Sequence, residues 1–163
     1  MTRINADLPP RLLTDQHLFA EYREMRRIPK SLLKSMGAGS TADLAARIPP
    51  IFCLGRGHVT FFYDKGLFLT ARYALLRTEL LARGYRLNDD GVFDNLGIYQ
   101  RHPEFLGNGS FRFDAAARLL VVERITERIR DKPHVYTLDR LPIVPDQYHA
   151  ALMAAVLNDY CTQ

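Results

Sequence analysis

The chain of 163 residues is long enough for a hydrophobic core of its own, and 47% hydrophobic with 25% charged residues is ordinary for a globular protein. Lys and Arg outnumber Asp and Glu by 22 to 18, and the net charge of +4 points toward nucleic acid or another anionic surface without deciding between them. Two cysteines, Cys53 and Cys161, exclude a disulfide framework and a four-cysteine iron–sulfur cluster, and they fit a reducing, cytoplasmic setting.

Residues 2–13 form an arm that ends in Pro9-Pro10, a pair that rules out a regular helix there. Thr14 or Asp15 is the expected N-cap of a first helix through Lys34. On its wheel, Gln16 and Arg23 are seven apart, as are His17 and Glu24, with Arg27 one turn beyond Arg23. One polar face therefore carries an amide, an imidazole, a carboxylate and two guanidinium groups, while Leu18, Tyr22 and Met25 form the opposite, core-seeking side. Spacing alone favours a solvated face with pairs such as Glu24 to Arg27. Pro29 predicts a kink or an early break, and Met36 to Ser40 the definite end. Thr41 to Ala46 adds a turn or two before Pro49-Pro50.

Ile51 to Tyr63 is apolar and strand-like in composition. His58, a lone histidine beside that run with nothing nearby at metal-ligand spacing, reads as a hydrogen-bonded structural residue. Asp64 is the expected cap of a second helix, with Leu69, Tyr73, Leu76 and Leu80 at 4-3-4 spacing as its core stripe and Gly84 as its close. Asn88 to Gly109 reads as an irregular loop, and Asp89, Asp90 and Asp94 lack the ligand order of a calcium loop. Asp114 starts a third helix toward Arg130 that Pro133 stops. Val122, Ile125 and Ile129 form its inner stripe and Arg118, Arg124 and Arg128 lie on other faces. Arg124 and Arg128, one turn apart, could straddle a phosphate or pair with Glu123 and Glu127. Pro145-Asp146 introduces a last helix with Tyr148, Leu152, Val156 and Tyr160. No signal peptide and no bilayer-spanning run are read in the chain.

Two blocks carry a resemblance. Thr2-Arg3-Ile4-Asn5, Asp15-Gln16-His17-Leu18 and Ala20-Glu21-Tyr22-Arg23-Glu24 form the first; Gly57-His58-Val59-Thr60-Phe61-Phe62-Tyr63-Asp64-Lys65 is the second. In this order and spacing they resemble the phage-type pyrimidine-dimer DNA glycosylases, the UV endonucleases called endonuclease V of phage. The resemblance covers about residues 1–140, most closely through Lys65, and leaves 141–163 as a C-terminal extension of one glycosylase/lyase domain. It implies an all-α fold, a compact single domain of three main helices with long irregular loops and an extra C-terminal helix, in which Ile51 to Tyr63 is a buried connection.

The resemblance also implies chemistry. Removal of Met1 would leave Thr2 with a free α-amine, which is neutral and nucleophilic near physiological pH far more often than a lysine. Thr2 is then the nucleophile and Glu24 the essential carboxylate. Arg3, Gln16, His17, Arg23, Arg27, Arg124 and Arg128 are expected to bind damaged double-stranded DNA, with no metal and no cofactor, in a monomer. The phage enzymes end in an aromatic, lysine-containing segment. Here Pro133 to Leu138 keeps the proline and one tyrosine and has no tryptophan, which bears on lesion choice. The alternatives are a glycosylase/lyase for another damaged base and a non-catalytic DNA-binding protein.

Overall fold

The computed structural model describes residues 4–88, 96–107, 109 and 111–158, the side chains of residues 96 and 158 excepted. The architecture is largely all-α. Among the described residues the helices are α1 (Asp15–Met25), α2 (Arg27–Met36), α3 (Thr41–Ala46), α4 (His58–Phe61), α5 (Gly66–Ala82), α6 (Leu96–Arg101), α7 (Ala115–Asp131) and α8 (Pro145–Asn158). A hairpin of β1 (Thr137–Leu138) and β2 (Leu141–Pro142) lies between the last two. The contacts divide the chain into two units, one of residues 1–4 and 21–111, the other of 5–20 and 112–163.

In the first unit the expected stripe of α5 is the core: Leu69, Tyr73, Leu76 and Leu80 are all buried. The early break expected from Pro29 falls at Arg26, which puts the proline in the first turn of α2, where its missing N–H would lack a helical partner anyway. Other parts of this unit depart from the sequence reading. Asp64 does not cap α5. Lys65 occupies that position, and the Asp64 carboxylate instead accepts the Lys65 ammonium at 2.6 Å. Ile51 to Tyr63 is more than a connection, because α4 forms within it and Phe52, Phe61 and Phe62 meet edge to face, while Ile51 stays exposed.

The stretch read as an irregular loop contains α6 and a 3₁₀ turn at Pro103–Phe105 that buries Phe105. Tyr99 of α6 lies against Gly66, where a Cβ would come within 2.6 Å of the ring. That close approach is what an isolated reading of Gly, Asn and Asp content misses. Asp89, Asp90 and Asp94 lie outside the described residues, as do Cys161 and Tyr160.

In the second unit Asp114 caps α7 as expected, its carboxylate accepting the Ala117 N–H at 2.8 Å. Val122, Ile125 and Ile129 are buried. Arg118 is buried too, rather than turned away from the core, and its guanidinium makes two 2.8 Å bonds to the Asp7 carboxylate. α8 packs on α7 and buries Tyr148, Leu152 and Val156; the Tyr148 hydroxyl donates to the Leu12 carbonyl. The hairpin turns through Asp139 and Arg140, both at positive φ, as a two-residue type I′ loop requires.

Candidate functional site

Of the polar residues that the sequence singles out, α1 carries Gln16, His17, Arg23 and Glu24, whereas Arg27 opens α2 and Arg124 and Arg128 lie on α7; each unit fixes its own part of α1. In the first unit, Glu21 and Arg72 form a fully buried ion pair with Nε to Oε1 at 2.7 Å and Nη2 to Oε2 at 3.1 Å. One helical position on, Tyr22 and Tyr73 stack at 5.1 Å with their hydroxyls 3.1 Å apart. Two residue pairs thus attach the second half of α1 to α5. This fixes the rotation of the turn that bears Glu24, whose side chain is only 9% exposed. Arg27, largely in solvent, lies 3.7 Å from the Glu24 carboxylate. Glu24 is therefore an almost buried carboxylate with a solvated cation beside it, a setting suited to stabilising positive charge on something that binds against it. Thr2 and Arg3 lie outside the described residues. The chain is held at Ile4, whose N–H donates to Nε2 of His58 at 3.1 Å.

In the second unit, Thr14 caps α1, its hydroxyl accepting the His17 N–H at 3.3 Å and lying 2.7 Å from His17 Nδ1. Thr14 is fully buried and, among the described residues, has no other side-chain partner. Its hydroxyl proton is satisfied only if it points at Nδ1, which places the imidazole proton on Nε2. Nε2 is buried and, among the described residues, without a hydrogen-bond partner. Burial first, then the charges of Arg124 and Arg128, push the His17 pKa down from 6.5 to about 3. The result is a neutral ring that offers one N–H beside two guanidinium groups, a combination suited to an anionic oxygen. Arg124 is itself oriented by a bond from Nη2 to the Asn5 side-chain oxygen.

The ring of Tyr136 stacks on His17, 4.9 Å away and 8° from parallel. The hairpin after it is tied to the start of α1. The Asp15 carboxylate accepts from the Thr137 hydroxyl at 2.6 Å and from the Arg140 N–H at 2.8 Å. Gln16 bonds Thr137 twice, at 3.0 and 3.2 Å. The Gln16 amide, expected to meet DNA, is thus committed to the hairpin. What sequence reasoning missed here are the contacts that join Asp15, Gln16 and His17 to Tyr136, Thr137 and Arg140. The two sets are more than a hundred positions apart, and no local signal connects them.

The family model for pyrimidine dimer DNA glycosylases matches residues 1–91, over half the chain. The chain belongs to the pyrimidine dimer DNA glycosylase family. That membership makes it a DNA-repair protein of the dimer-excising class with DNA as its substrate. The matched stretch contains Thr2, Arg3, Gln16, His17, Arg23, Glu24 and Arg27; Arg124, Arg128 and Tyr136 lie beyond it. Among the described residues of this glycosylase, no helix is long and apolar enough to cross a membrane, and no group of His, Cys, Asp and Glu could hold a metal ion.

The His17 environment sets a pH dependence of stability. Between about 6.5 and about 3 the unfolded chain carries a proton on His17 that the folded chain does not. The unfolded state therefore binds more protons in that window, and stability falls as pH drops through it, by roughly 1 kcal/mol per pH unit from this group. Above 6.5 the contribution vanishes. His17→Gln is expected to flatten this part of the urea-midpoint profile against pH; an unchanged slope would mean that His17 titrates normally in the folded protein.

Proposed function

We propose that the protein excises pyrimidine dimers as a bifunctional glycosylase and abasic-site lyase, with the Thr2 α-amine as nucleophile after loss of Met1. The amine attacks the sugar C1′, and the base departs with the electron pair of the glycosidic bond. Ring opening gives an imine between Thr2 and the sugar. The imine acidifies C2′, a proton leaves that carbon, and the 3′ phosphate is expelled by β-elimination. Glu24 stabilises the positive charge that grows on the sugar and then assists the proton transfers. Arg3, Arg23 and Arg27 hold the sugar and flanking phosphates. His17, as a neutral N–H donor, binds phosphate with Arg124 and Arg128. Gln16 serves this binding through Thr137.

The observation that carries this reading is the almost buried Glu24 carboxylate on a family-matched α1, held in register by Glu21–Arg72 and Tyr22–Tyr73. Borohydride trapping tests it, on UV-irradiated, abasic and undamaged duplexes, with the N-terminal mass read on the same sample. Covalent complexes with the two damaged duplexes alone, from protein lacking Met1, are the expected result. Absence of trapping by protein that lacks Met1 would overturn the imine mechanism.

A second reading keeps this chemistry and changes the damaged base. Tyr136 is the one Phe, Trp or Tyr between Pro133 and Leu138, and it is stacked on His17, which favours a different contact with the lesion. Trapping on abasic duplex but not on UV-irradiated duplex would select this alternative. On either reading, Arg128→Ala is expected to weaken binding of all duplexes alike and to lower the slope of log K against log salt by about 1. A loss confined to damaged duplex would assign Arg128 to lesion recognition instead.

A further inference from the structure

The sequence marks His58 as a structural histidine, and its bonds give it a more specific task. It is fully buried. Its Nε2 accepts the Ile4 N–H at 3.1 Å, so that nitrogen carries no proton. The proton is on Nδ1, which donates to the Cys53 carbonyl at 2.9 Å. Phe52 and Phe62 meet the ring edge to face, with centroids 5.4 and 5.3 Å away. Both nitrogens and the ring itself are thus held, and the backbone beside it is constrained as well. Gly57 precedes His58 at φ +95°, and a Cβ there would lie 3.2 Å from Pro49 Cγ and 3.3 Å from Cys53 Sγ. A rigid acceptor is therefore presented to one backbone N–H, 54 positions away in the chain.

That N–H is two residues from Thr2. Whatever conformation Thr2 and Arg3 adopt, covalent geometry keeps the Thr2 nitrogen within about 7 Å of the Ile4 nitrogen. We infer that His58 is a positioning residue for the N-terminal nucleophile: by fixing the Ile4 N–H it sets the short tether on which the Thr2 amine reaches the sugar. The inference rests on the imine reading above. A fixed tether raises the effective concentration of the amine at its target, and its loss is felt in the chemical step rather than in affinity for DNA.

The test is single-turnover borohydride trapping on abasic duplex, with duplex Kd and melting temperature measured on each protein. Four full-length proteins lacking Met1 are compared: the natural chain, His58→Leu, His58→Gln, and a semisynthetic chain in which the Ile4 amide is an ester. The ester removes the donor and leaves every side chain in place. Trapping is expected to slow about 10-fold or more in the ester and in His58→Leu, with Kd within about 2-fold of the natural chain. His58→Gln, which retains an acceptor for Ile4, should recover much of the rate. Normal trapping by the ester overturns the inference. If His58→Leu alone slows, in step with its loss of folded protein, His58 is structural only and the inference is again wrong. If the natural chain does not trap at all, the imine reading fails and takes this role with it, a result distinct from the other two.

Discussion

On the proposed chemistry, Glu24→Gln is expected to lower dimer excision by at least about 10²-fold while retaining part of the cleavage of preformed abasic sites. Base departure builds positive charge on the sugar, and the neutral amide cannot balance it. Imine formation and elimination at an abasic site need proton movement more than charge, and the amide keeps the shape of the side chain. Glu24→Asp should harm both steps, because one methylene less withdraws the carboxylate from its place while the rest of α1 stays fixed. A melting temperature taken on each variant separates a folding loss from a catalytic one. Arg27, the cation 3.7 Å from Glu24, is 76% exposed, and an ion pair of that kind contributes at most about 1 kcal/mol. Single-turnover rates on UV-irradiated and abasic duplex, measured side by side, decide the matter. Equal losses on both substrates with Gln would show that Glu24 does not act through charge at base release.

The second large effect is on stability. Arg72→Met is expected to cost about 3–5 kcal/mol, because it leaves the fully buried Glu21 carboxylate without its bidentate partner. For a chain of this length that is roughly a 10 °C fall in melting temperature. The double variant Glu21→Leu with Arg72→Met should regain most of the loss, since it removes both charges and fills the space with apolar atoms. Thermal and urea melts of the two singles and the double measure this. A single variant that melts within 1 °C of the natural chain would mean that the pair is solvated in solution, with no role in holding α1 on α5.

Much of this fold was legible because its elements are periodic. The stripe Leu69, Tyr73, Leu76 and Leu80 marks α5, and the Asp114 cap with Pro133 beyond it brackets α7. What failed were places where a distant residue decides. α6 is helical where Tyr99 meets a glycine with no Cβ, and Arg118 turns inward because Asp7 is there to receive it. Local propensity carries no trace of either partner. The functional residues divide in the same way. Gln16, His17, Arg23 and Glu24 could be placed on one helix from spacing, whereas Arg27 falls on the next, and the roles of all five come only from resemblance to a family. The bonds that single out His17 and Gln16 run to Tyr136 and Thr137 and became visible only in three dimensions. His58 was correctly read as hydrogen-bonded, while its partner, Ile4, could not have been named from the sequence.

The stack of Tyr136 on His17 has a practical consequence in optical terms. The chain contains eight tyrosines and no tryptophan, so its native emission is a blend in which no single position can be followed. Tyr136→Trp would keep an aromatic ring over the imidazole and introduce the only indole in the molecule. Excited at the red edge, where tyrosine no longer absorbs, that indole would report on one ring contact alone. The natural sequence thus supplies a dark background, and the stack supplies the place to put the lamp.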